Sequence, residues 1–211
     1  MALQYETIQV ESRFGVTAHS LFITQQGGSD KLLVMLPGRG YTNDQPVLYY
    51  LRMAALELGY DVLSVEYGFQ AANIDLTPEN TPFIQDDVNQ ATKQVLSRGY
   101  SDVCIAGKSL GTPLAAGLAE NLTNTSVSLI LLTPIGGVTL GLGSIPTLAI
   151  IGTADKQYVP EHVKDEPHLT WRVFDDLDHS LEKRGDWRAS LAVLQTIITD
   201  CETFLRNHAP K

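Results

Sequence analysis

Three features of the sequence predict an α/β fold built on a doubly wound, mostly parallel sheet of about eight strands with a leading antiparallel hairpin. Two strand-like runs, "YETIQV" and "VTAHSLFI", open the chain and are joined by "ESRFG", as in a hairpin. Later runs are continuously apolar, the pattern of strands buried on both faces. Helical segments alternate with them, which is how parallel strands are connected.

After the hairpin, "KLLVML" (Lys31 to Leu36) is an apolar strand ended by Pro37-Gly38. Pro46 to Leu58 places Leu48, Leu51, Ala55 and Leu58 on one helical face and runs through Gly59 into the strand "DVLSVEY". Thr81 to about Ser97 reads as a longer helix, and Arg98-Gly99 leads to the strand "SDVCIAG". A helix follows Ser109, and then "SVSLILLTP", "PTLAIIGTAD" and "LTWRVFDD" read as strands before a final helix from about Asp186 to Arg206. Nothing resembles a repeat, a low-complexity tract or a linker, so residues 1–211 are read as one domain.

Composition narrows the function classes. The chain has 24 acidic and 15 basic residues, a formal charge of −9, and no Lys/Arg run; this repels phosphate backbones and argues against a nucleic-acid partner. No stretch approaches the roughly 18 apolar residues of a membrane span. The N-terminus lacks the basic and apolar regions of a secretory signal, so a soluble, cytoplasmic protein is expected. Cys104 lies in an apolar strand and Cys201 in the last helix, a spacing that suits neither a disulfide framework nor a metal site; both are expected as buried free thiols.

In open parallel sheets, ligands sit beyond the carboxyl ends of the strands, so residues just after strands are the candidates. "GKSLG" (Gly107 to Gly111) matches G-x-S-x-G between an apolar strand and an amphipathic helix. A turn that sharp leaves no room for side chains two positions either side of Ser109, and glycine stands at both. The serine hydroxyl is then presented at a helix start, whose free N–H groups and dipole favour negative charge. Such a hydroxyl needs a base oriented by a carboxylate. His179, in "DLDHSLE", follows the last strand, and Asp155, in "GTADKQY", follows the one before it. His19, His162, His168 and His208 are read as surface or packing residues. Asp178 adjoins His179 too closely in sequence to hold its ring edge-on, and Glu66, Asp175 and Asp176 are set aside. No metal-ligand spacing accompanies the acidic "DDLD"; no metal and no cofactor are assigned.

The order Ser109, Asp155, His179 resembles that of the α/β-hydrolase superfamily. The resemblance spans about Lys31 to Arg206, and within the superfamily the sequence is similar to the compact, lid-less dienelactone-hydrolase-like serine hydrolases. Dienelactone hydrolases carry cysteine at the nucleophile position, where Ser109 stands, so their lactone specificity is not carried over. The resemblance implies an oxyanion hole from the N–H of Leu110 and a second N–H in "PGRGYTND". Pro37-Gly38 replaces the His-Gly often found there, which makes Arg39 the donor by position and Gly40 the fallback.

Only "IGGVTLGLGSI" separates Pro134 from Pro146, too little for a helical cap, so an open site is expected. Its walls would come from that connection and from "YGFQAANIDLTPEN", with Tyr67 and Phe69 as apolar substrate contacts. Arg39 and Lys108 flank the expected oxyanion hole, and a negatively charged group on the substrate is entertained on that basis, with Lys108 as a substrate contact. The reading is a serine hydrolase, a carboxylesterase in its narrowest form, acting on a small acyl substrate through an acyl-enzyme. An acyltransferase or peptidase on the same residues, or a non-catalytic ligand-binding protein that keeps the fold, stays open, as do the leaving group and the oligomeric state.

Overall fold

The computed structural model describes residues 2–123, 125–164 and 166–208. Eight strands form one sheet in the order β1-β2-β4-β3-β5-β6-β7-β8. β1 (Leu3–Ser12) and β2 (Val16–Gln25) make the predicted hairpin, in antiparallel register from Leu3↔Gln25 to Ser12↔Val16. β2 also runs antiparallel to β4 (Asp61–Ser64). Every pairing beyond that is parallel and joins β4, β3 (Lys31–Leu36), β5 (Asp102–Lys108), β6 (Ser126–Leu132), β7 (Thr147–Gly152) and β8 (Leu169–Phe174). The antiparallel pairing is thus confined to the leading edge, as the sequence predicts.

The helices are α1 (Pro46–Glu57), α2 (Gly68–Ala71), α3 (Pro82–Leu96), α4 (Gly111–Glu120) and α5 (Trp187–His208). α1 and α3 each begin with proline in the first turn, where the missing N–H has no helical partner to lose. Alternate residues of the central strands serve two cores, because strand side chains point to opposite faces. Leu32, Val34, Ile105 and Leu129 pack with α3 and α4 residues such as Val88 and Leu118. Leu33, Met35, Cys104 and Ile130 pack with α1 and α5 residues such as Leu51 and Ile197. Cys104 and Cys201 are both buried free thiols in the second core, as expected. Among the described residues no helix is long and apolar enough to cross a membrane.

The predicted strand "DVLSVEY" ends early, at Ser64. Past it the chain peels away: the Glu66 N–H bonds Ser20 Oγ at 3.0 Å, and the Tyr67 hydroxyl bonds the Pro37 carbonyl at 3.0 Å. The loop expected over residues 67–80 therefore begins with the short helix α2. Between β6 and β7 the chain carries only a four-residue 3₁₀ turn, Val138–Gly141.

Candidate active site

Ser109 follows β5 directly and has φ of +51°, a left-handed conformation uncommon for a residue with a side chain. Close packing on both sides holds it there. A β-carbon on Gly107 would lie 2.4 Å from the Gly111 carbonyl oxygen, and one on Gly111 would lie 2.1 Å from that of Leu36. The two glycines let α4 and the end of β3 close on the turn, and the turn lifts the serine above the sheet edge. The Ser109 N–H is anchored to the Leu132 carbonyl at 2.9 Å.

His179 and Asp155 reach Ser109 from the two strand ends that the sequence indicates. His179 Nε2 lies 2.7 Å from Ser109 Oγ, and its Nδ1 lies 2.7 Å from Asp155 Oδ2. With Nδ1 protonated, the ring donates to the carboxylate and Nε2 is left to accept the serine proton. The Asp155 side chain is 1% exposed and that of His179 is 44% exposed, so the carboxylate is sealed and the imidazole is open on one side. Asp155 Oδ1 takes the N–H of Gln157 at 2.9 Å. Asp178 does not compete for the ring: its Oδ1 accepts the N–H of Ser180 at 2.9 Å and closes the turn that carries His179.

Gly152 is a position beside the site that the sequence reading missed. A β-carbon there would lie 2.1 Å from the Leu177 carbonyl oxygen. That carbonyl accepts the N–H of Ala154 at 3.1 Å, so the His179 segment lies directly on the Asp155 segment. The glycine of "GTAD" was the available signal; only the crossing of two loops gives it meaning.

The loop after β3 also reaches the serine. A β-carbon on Gly38 would lie 3.5 Å from Ser109 Cβ. Among the described residues, the N–H groups of Leu110, Arg39 and Gly40 donate to no protein acceptor, and α4 has no side-chain cap. The loop is held from behind by Gln70, whose Nε2 donates to the Gly38 carbonyl at 2.9 Å and the Arg39 carbonyl at 3.3 Å.

Three expected substrate contacts are corrected. Tyr67 is fully buried and Phe69 4% exposed, and they stack on each other with ring centroids 5.8 Å apart; the turn into α2 takes both rings into the core. Lys108 is 1% exposed, with Nζ 2.6 Å from Thr133 Oγ1 and 2.5 Å from the His179 carbonyl oxygen. Side chains alternate along β5, so the residue before the turn points beneath the site, away from any substrate. Arg39 stays at the surface and pairs with Asp75 at 3.2 Å. His19, His162 and His168 are exposed, as expected.

A cleft of about 140 Å³ lies beside the Asp155 segment and is lined by Pro134, Val138, Ile151, Gln157, His162 and Trp171. The Gly-rich connection lines this cleft, whereas Ser109, Asp155 and His179 do not.

This architecture is the α/β-hydrolase fold, and solved structures superpose on nearly all of it. A lid-less α/β serine hydrolase from Xanthomonas campestris matches with a TM-score of 0.70 at 16% identity, over 99% of this chain and 96% of that one. An esterase from Pyrococcus furiosus matches with a TM-score of 0.72 at 14% identity, over 99% and 94%. A dienelactone hydrolase from Anabaena variabilis matches with a TM-score of 0.72 at 16% identity, over all of both chains. At these identities the likeness is one of fold. No family model and no curated protein matches the sequence.

Proposed function

We propose that the protein is a serine hydrolase that cleaves a small ester or related acyl compound through an acyl-enzyme. The observation that carries this reading is the chain of two 2.7 Å contacts from Ser109 Oγ through His179 to Asp155. In this reading Ser109 Oγ attacks the acyl carbon while His179 Nε2 takes its proton. The tetrahedral oxyanion sits against the N–H groups of Leu110 and Arg39, with Gly40 the next donor along the loop. His179 then returns the proton to the leaving group, and a water activated by the same ring releases the acid. Asp155 holds the imidazole in the required tautomer and stabilises its cationic form.

The strained turn, the unpaired N–H groups and the half-exposed imidazole support the reading, since each is costly or idle in a protein that only binds. The neighbours described as hydrolases and esterases support the same class.

The test is release of nitrophenolate from a short-chain p-nitrophenyl ester over the first turnovers, beside Ser109→Ala. A burst or steady turnover that disappears in the variant is expected. Equal release by both proteins, or labelling of a residue other than Ser109 by an alkyl phosphonate, would refute the assignment.

A further inference from the structure

Lys108 precedes the nucleophile in sequence, yet its ammonium lies beneath the site, among groups from four different segments. It donates to Thr133 Oγ1 just past β6 and to the main-chain carbonyl of His179 itself. Thr133 is held in turn by its own N–H on the Ile150 carbonyl at 2.7 Å, and it has φ of +49°. Tyr41, from the loop after β3, covers the ammonium with its ring at 5.0 Å. One buried cation thus connects the strand bearing Ser109, the end of the neighbouring strand and the segment bearing the imidazole. A neutral side chain of the same length would fill the space and make neither bond.

We propose that Lys108 is a positioning residue: its ammonium, bonded to the His179 carbonyl and to Thr133, sets where the imidazole stands between Ser109 and Asp155. This deepens the hydrolase reading and rests on it for its kinetic consequence. Its geometric consequence is independent of any substrate.

The charged and titratable groups around Lys108 are Asp155 from the end of β7, Asp178 and His179 from the segment after β8, and Tyr41. Glu182 adds its charge at Tyr41, whose hydroxyl is pushed up to about 12, mainly by burial. Burial lowers the Lys108 ammonium from the ordinary lysine range to about 8, opposed by the charges of Asp155 and Asp178. Because the folded protein disfavours the charged form, this group makes stability rise with pH between about 8 and the ordinary lysine range. Lys108 therefore costs stability at neutral pH while it holds the imidazole. A residue with only a structural role would not separate those two effects.

The first readout is the His179 Nδ1 proton, seen by NMR in the full ¹⁵N-labelled chain as a far-downfield signal when it bonds Asp155. In Lys108→Met this signal should be lost or shifted, with the denaturation midpoint at pH 7 unchanged or raised. With the p-nitrophenyl ester, kcat should fall by about 10- to 100-fold, the cost of a misplacement of about 1 Å, with KM within about threefold. Retention of both the wild-type signal and the wild-type kcat in folded Lys108→Met overturns the proposal. If that variant does not fold, the wild-type chain decides: the His179 signal should change across a midpoint near pH 8, and no change between pH 7 and 9.5 overturns it. A wild-type chain that shows the signal and its pH dependence but never turns over ester refutes the hydrolase reading and leaves the positioning role intact.

Discussion

Both ends of the parallel sheet bury aspartates against donors carried on rings, and only at one of those ends does the ring also reach a serine. At the amino end, the Tyr100 hydroxyl donates to Asp61 Oδ2 at 2.6 Å and the Tyr60 hydroxyl to Asp102 Oδ2 at 3.2 Å. Burial, reinforced by the neighbouring carboxylates, raises both phenols further above the ordinary tyrosine range. Those protons stay where they are across the working pH range, and the pairs lock strand starts together. At the carboxyl end, Asp155 is equally buried, but its donor is an imidazole with a second nitrogen on a serine and nearly half its surface open. The acceptor is the same at both ends. What distinguishes them is whether the donor's ring has a second site through which a proton can pass and a face from which a substrate can arrive.

Substitutions at the two ends should therefore separate activity from stability. The largest effect is expected from Asp155→Asn, which keeps the shape and reverses the hydrogen-bond preference of the ring: kcat should fall by about 10⁴-fold, with the thermal midpoint little changed. A fall of less than tenfold would mean that Asp155 holds structure in the manner of Asp61. Next comes Gly152→Ala, whose β-carbon would meet the Leu177 carbonyl. Moving the His179 segment away should cost about 10²-fold in kcat and about 1–3 kcal/mol of stability by overpacking, read by ester turnover and urea denaturation. Activity unchanged in the face of that stability loss would show that the two segments tolerate separation. The smallest effect on turnover belongs to Tyr100→Phe, which leaves a buried carboxylate oxygen without its donor: a loss of about 1–3 kcal/mol, with kcat and KM as in the wild type. A kcat change in that variant would break the division between the two ends.

Much of this arrangement is legible one residue at a time. The hairpin, the apolar strands and the order Ser109, Asp155, His179 follow from local pattern, because strand ends in a parallel sheet gather at one edge wherever the intervening helices lie. The loops were less legible. Tyr67 and Phe69 sit among turn residues and look like exposed aromatics until α2 folds them inward. Gly152 looks like any glycine after a strand, and its need arises from a carbonyl 25 residues later in the chain.

By itself, then, the sequence determined the sheet, its leading antiparallel edge and the three residues that meet above it, since periodicity and turn chemistry act over a few neighbouring residues. Tertiary structure alone decided the rest: which loop lies on Gly152, which aromatics become core, and that the lysine beside Ser109 turns beneath the strand ends to bond the His179 carbonyl. Those outcomes depend on contacts between segments distant in the chain, and burial of a charge or a ring is a property of all the segments that close around it.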